Sequence, residues 1–88
     1  MNFTYEVSGS ADRYLRRLPR AQQQAIVARI WALCEEPFTP PLSKALHGEF
    51  DGVRSSKVGQ FRVLYTIDSN RKLLTILRVG PRGDVYKQ

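Results

Sequence analysis

The 88-residue sequence predicts an α+β domain, a small antiparallel sheet in two layers, and three patterns carry that prediction. Apolar residues alternate at the start, at Phe3, Tyr5 and Val7. Two helix-like stretches follow, divided by Pro19. From Glu49 onward the texture changes to short runs with a period of two, as strands require. Strand, helix hairpin and three-stranded meander is a layout that buries one sheet face under two helices. With 42% apolar and 25% charged residues, the chain has enough apolar surface to fold as one small domain spanning residues 1–88.

Each element has its own local cause. Phe3, Tyr5 and Val7 give the first strand one apolar face. Ser8-Gly9-Ser10 then interrupts it, and either serine can cap a helix. Ala11, Tyr14, Leu15 and Leu18 follow the i, i+3, i+4, i+7 spacing of an amphipathic helix, with Arg13, Arg16 and Arg17 on its outer side. The second helix should run from about Arg20 to Glu36. Its expected buried stripe is Ile26, Val27, Ile30, Trp31, Leu33 and Cys34, with Ala21, Ala25, Ala28 and Ala32 allowing close packing. Pro37 stops it.

Residues 37–48, PFTPPLSKALHG, contain three prolines and read as a loop. Phe50 to Val58 reads as one strand and Gln60 to Ile67 as the next, hinged near Gly59. In the latter, Phe61, Val63, Tyr65 and Ile67 share one face, while Arg62, Leu64 and Thr66 share the other. Tyr65 therefore belongs to the core. Asp68-Ser69-Asn70-Arg71 is a turn signal, Leu73 to Val79 is the last strand, Gly80-Pro81 ends it, and Asp84-Val85-Tyr86 forms a short tail.

Composition excludes several function classes. Cys34 is the single cysteine, so there is no disulfide framework and no thiolate metal cluster, and its apolar helical surroundings mark it as a buried thiol. His47 is the single histidine, which rules out a two-histidine nuclease and a multi-histidine zinc site and leaves it a loop residue. No apolar run approaches the roughly 18 residues of a membrane span, and the N-terminus lacks the pattern of a signal peptide. The expected location is the cytoplasm.

The net charge of +6 is unevenly placed. Residues 54–88 hold eight Lys and Arg against Asp68 and Asp84, so the first 53 residues are neutral overall. A concentrated basic field commonly meets a polyanion, although a solvated basic surface would look the same in sequence.

Lys57 lies before the Gly59 hinge, Arg62 after it, Arg82 beyond the last strand, and Tyr86 four residues later. Such a set suits RNA cleavage. RNA carries its own nucleophile, the 2′-hydroxyl, and needs a proton acceptor, cations on the phosphate and help for the leaving 5′-oxygen. Arginine grips phosphate bidentately. Cations around a phenol favour phenolate, which can act as a base. The scheme calls for no cofactor and no metal. Alternatively, Tyr86 is a terminal aromatic packed on the sheet and the arginines face water.

Three stretches together resemble the RelE-type toxins of the RelE/ParE superfamily of toxin–antitoxin pairs: ADRYLRRLP, LSKALHGEFDGVRSSKVGQFRVLYTID and LRVGPRGDVY. The resemblance implies a sheet packed by a helix hairpin and ribosome-dependent cleavage of messenger RNA. It assigns Tyr86 as general base, Arg82 as proton donor or leaving-group stabiliser, and Arg62 and Lys57 as phosphate clamps; Arg54 and Arg78, basic residues of the same charged third, are further candidate RNA contacts. The products would be a 2′,3′-cyclic phosphate and a 5′-hydroxyl. Ser55 stands where many relatives carry a second basic residue, and its neighbour Arg54 is the residue that would substitute. Pro81 and Phe61 also depart from the usual pattern. The implied partners are the ribosome with its messenger RNA and a cognate antitoxin whose acidic, partly disordered segment would complement the basic field. Two other readings remain open here: a ParE-like, non-enzymatic inhibitor of DNA gyrase, and a degenerate toxin fold kept as a binding module.

Overall fold

The computed structural model describes residues 2–86. In chain order its elements are β1 (Thr4–Val7), α1 (Gly9–Arg17), α2 (Arg20–Glu35), β2 (Lys44–Ala45), β3 (Arg54–Val58), β4 (Phe61–Asp68), β5 (Leu73–Pro81) and a single helical turn, α3 (Arg82–Val85). The five strands form one sheet in the order β1-β5-β4-β3-β2. The meander β3–β4–β5 is antiparallel as expected, and β2 extends it antiparallel. β1, however, runs parallel to β5, so the sheet is mixed rather than wholly antiparallel. A parallel neighbour needs a long crossover, and here everything between β1 and β5 lies in that connection.

Ser8 sets the first corner. Its Oγ accepts from the Ala11 amide at 3.2 Å and donates to the Leu77 carbonyl at 2.7 Å, so the cap of α1 is also tied to β5. Leu77 is available because the β4–β5 register shifts between Leu64 and Tyr65. On α1, Asp12 and Arg16 form a 2.8 Å ion pair one turn apart on the exposed side. The Gln23 amide donates to the Leu15 carbonyl at 2.6 Å and locks α2 against α1.

The core lies between the helices and one sheet face. It joins Ala11 of α1 and Ile26, Ile30, Leu33 and Cys34 of α2 to Phe61, Val63 and Tyr65 of β4 and Leu74, Ile76 and Val79 of β5. Cys34 and Tyr65 are buried as expected. Burial pushes the Cys34 thiol above its ordinary titration range, with Glu35 adding to the shift. The expected α2 stripe needs correction at Trp31, which is 62% exposed. Successive helix residues turn by about 100°. Ile26, Ile30, Leu33 and Cys34 therefore span one narrow sector, half-buried Val27 lies at its margin, and Trp31 falls beyond it. Ala21, Ala25 and Ala28 lie on the far side and are exposed, so they pack nothing.

The expected strand Phe50–Val58 also begins later than the sequence implied. Gly48–Phe50 is a 3-10 turn, Asp51-Gly52 continues as turn, and pairing starts at Arg54. No helix among the described residues is long and apolar enough to cross a membrane.

Candidate active site

The sheet face turned away from the α1–α2 layer carries the charge. A two-residue turn, Gly59-Gln60, joins β3 to β4, with Gly59 at φ 59°, a left-handed conformation that favours glycine. That turn pairs Val58 with Phe61 and therefore Lys57 with Arg62. The two cations are direct cross-strand neighbours on one face, an arrangement that costs energy unless an anion relieves it. From the helix side, Arg29 of α2 donates to the Ser56 hydroxyl at 3.0 Å and to the Lys57 carbonyl, which fixes the end of β3.

The other two residues arrive from beyond β5. Arg62 lies opposite Gly80, and a Cβ on Gly80 would come within 3.2 Å of Val85 Cγ1. The absence of that carbon lets α3 fold tightly back on the strand end. Val85 is buried there, and Arg78 Nη1 holds its carbonyl at 3.2 Å. The expected tail is thus a helical turn that begins at Arg82 and ends at Tyr86. The Tyr86 ring meets Phe50 edge to face, with centroids 5.7 Å apart.

Lys57, Arg62, Arg82 and Tyr86 consequently line one pocket of about 290 Å³, together with Lys44, Leu46, Pro41 and Ser55. No carboxylate lines it. The larger groove between α1 and α3, about 440 Å³, is lined by both Arg78 and the carboxylate of Asp84. Among the described residues there is no group of three or more His, Cys, Asp or Glu able to hold a metal ion. His47 precedes the 3-10 turn and is exposed.

Arg54 and Arg78, expected as RNA contacts, do not line this pocket. Strand alternation turns Arg54 to the opposite face from Ser55 and Lys57. There its Nε donates to Ser43 Oγ at 2.6 Å, its Nη2 donates to the Phe38 carbonyl at 3.3 Å, and its guanidinium stacks over the Phe38 ring. Tyr65 donates its proton to the Pro37 carbonyl at 2.8 Å, so the Ser43 hydroxyl is the donor to the Tyr65 oxygen. The chain of bonds runs from Arg54 through Ser43 and Tyr65 to Pro37. Burial holds the Tyr65 phenol above its ordinary range against the opposing pull of Ser43 and Arg54. Tyr65 is therefore a structural donor, and Tyr86 is the tyrosine that lines the pocket. Arg54→Ala should lower stability by about 1.5–3 kcal/mol, the worth of hydrogen bonds from a charged donor, in a urea titration.

Sequence reasoning missed Lys44. It sits inside the proline-rich stretch that reads as loop, and only the pairing of β2 with β3 brings it to the pocket.

Comparison with known proteins gives the family and the fold. The family model for the ParE toxin of the type II toxin–antitoxin system parDE matches residues 5–86. Toxin RelG of Mycobacterium tuberculosis is 34% identical over 89 residues, covering all of both chains. Among solved structures, the toxin–antitoxin complex RelBE2 from Mycobacterium tuberculosis contains a chain that is 33% identical, with a TM-score of 0.84 over 96% of this chain and 95% of that one. The isolated Escherichia coli RelE toxin shares the fold, with a TM-score of 0.76 at 18% identity over 98% of this chain and 92% of that one.

Proposed function

Since the chain belongs to the ParE toxin family of type II toxin–antitoxin systems, as a RelE-type toxin of the RelE/ParE superfamily, we propose that it cleaves messenger RNA on the ribosome. The observation that carries the reading is the meeting of Lys57, Arg62, Arg82 and Tyr86, drawn from three separate stretches, in one pocket without a carboxylate.

The roles follow from charge and position. Lys57 and Arg62, paired across the hairpin, clamp the scissile phosphate. Tyr86 takes the proton of the 2′-hydroxyl as its oxygen attacks phosphorus. The bond to the 5′-oxygen breaks, and Arg82 stabilises the charge growing there. A guanidinium keeps its proton in a protein, so Arg82 acts as a hydrogen-bond donor and water supplies the proton that completes the 5′-hydroxyl. The other product is a 2′,3′-cyclic phosphate. No step in this route calls on a metal ion or cofactor.

A cognate antitoxin is the proposed protein partner. The RelBE2 structure is a toxin–antitoxin complex, and an acidic antitoxin segment would meet the same uncompensated cations that RNA does.

The test is to map messenger RNA 5′ ends after adding the protein with ribosomes present and absent. New ends carrying 5′-hydroxyls, dependent on ribosomes, are the expected result. The matching family model is a ParE model, so a gyrase supercoiling assay belongs beside it. Inhibited supercoiling without RNA cleavage would replace the nuclease reading with a non-enzymatic one.

A further inference from the structure

We infer that Lys44 is an RNA-backbone contact of this pocket, a cation that β2 carries to the flank where β3 presents the uncharged Ser55. The inference rests on the nuclease reading and adds a residue to the same site.

Register comes first. Lys44 pairs with Ser55 and Ala45 with Arg54, so Lys44 shares a face with Ser55 and Lys57, and both members of the Lys44–Ser55 pair line the pocket. Strands lie about 4.8 Å apart, and alternate residues of one strand about 7 Å apart. Lys44 thus lengthens the cationic row of Lys57 and Arg62 by one strand, past the gap at Ser55.

Anchoring comes second. Lys44 is exposed on a two-residue edge strand, which alone would hold it loosely. The preceding residue, Ser43, is buried at 1% exposure. Its amide donates to the Thr39 carbonyl at 3.0 Å, and its hydroxyl is held between Arg54 and Tyr65. With Ser43 fixed on the helix side of the sheet, alternation aims Lys44 at the pocket. Arg54, which does not line the site, is therefore a positioning residue for the lysine that does.

Charge comes third. Lys44 has no carboxylate partner among the described residues, and none lines the pocket. An ammonium at the rim of a cationic pocket is repelled by its neighbours until an anion arrives, so it adds more to polyanion binding than to the free fold. Lys44 lies three strands from β5, after which Arg82 follows. Its phosphate is accordingly one flanking the cleavage point, and its contribution falls on binding rather than on the bond that breaks.

The experiment measures binding of a single-stranded RNA oligonucleotide carrying 2′-O-methyl groups, which lacks the nucleophile and stays intact, across a salt series. Each phosphate contact on a single strand contributes about 0.7 to the slope of log K against log salt. Lys44→Ala should lower the slope by about 0.7. Lys44→Arg should keep it, and adding Ser55→Lys to Lys44→Ala should return it. In ribosome-dependent cleavage, Lys44→Ala should raise KM about tenfold, the loss of one charged contact, with a much smaller change in kcat. An unchanged slope and KM in both Lys44→Ala and Lys44→Glu, from a wild type that cleaves, overturns the inference and leaves the nuclease reading standing. A reduced slope in Lys44→Ala, from a wild type that cuts no messenger RNA, has the opposite meaning: the lysine contacts RNA and the nuclease reading fails.

Discussion

Tyr86→Phe should reduce ribosome-dependent cleavage by roughly 10²–10⁴ while leaving RNA binding almost unchanged, because only the acceptor oxygen of the general base is lost. The phenylalanine ring can keep the edge-to-face contact with Phe50, so the helical turn that carries it should stay in place. Arg82→Ala should cost on the order of 10²–10³ in kcat, the usual effect of removing one donor to developing negative charge. Arg62→Ala should weaken binding as well, since Arg62 stands opposite Lys57 in the proposed phosphate clamp. These losses should not add, because the residues serve one transition state and the double variants should approach a common floor. The measurement is single-turnover cleavage on programmed ribosomes, with thermal unfolding run in parallel to show that each variant folds. Normal cleavage by all three single variants would remove the assigned roles.

The elements that sequence periodicity exposes are those whose pattern is local. β4 was legible because Phe61, Val63 and Tyr65 must face the helices, leaving Arg62 on the other side. The residues of the proposed site were legible for a related reason. The hairpin at Gly59 forces Lys57 and Arg62 into register, and Arg82 and Tyr86 lie close beyond a strand end. What stayed hidden depends on contacts between distant segments. β2 is two residues long within a proline-rich run, and nothing near Lys44 announces that it pairs with Ser55. Arg54 is the neighbour that could substitute for a basic residue at 55, and alternation alone already points it to the other face; only its partners were hidden. Its partners, Phe38 and Ser43, come from the loop before β2, and they draw it to the helix side. The parallel union of β1 with β5 likewise depends on residues near opposite ends of the chain.

Trp31 shows the same limit in the core, and it gives a paired stability test. An apolar stretch with Ile26, Ile30 and Leu33 tempts one to bury every large residue in it, yet a cylinder has only one side toward the sheet. Ile30 is 1% exposed within the main cluster, and Trp31, the next residue, is 62% exposed. Ile30→Ala should therefore destabilise the fold by about 2–5 kcal/mol, combining lost apolar transfer with the cavity left among neighbours that cannot fully close. Trp31→Ala removes a larger side chain but should shift stability by no more than about 0.5 kcal/mol, as surface changes usually do. Urea titrations of the two variants at a common slope settle the matter. Were tryptophan the costlier loss, α2 would have to sit rotated by about 100° from the orientation described, and the burial of Cys34 and the hold of Arg29 on β3 would have to change with it.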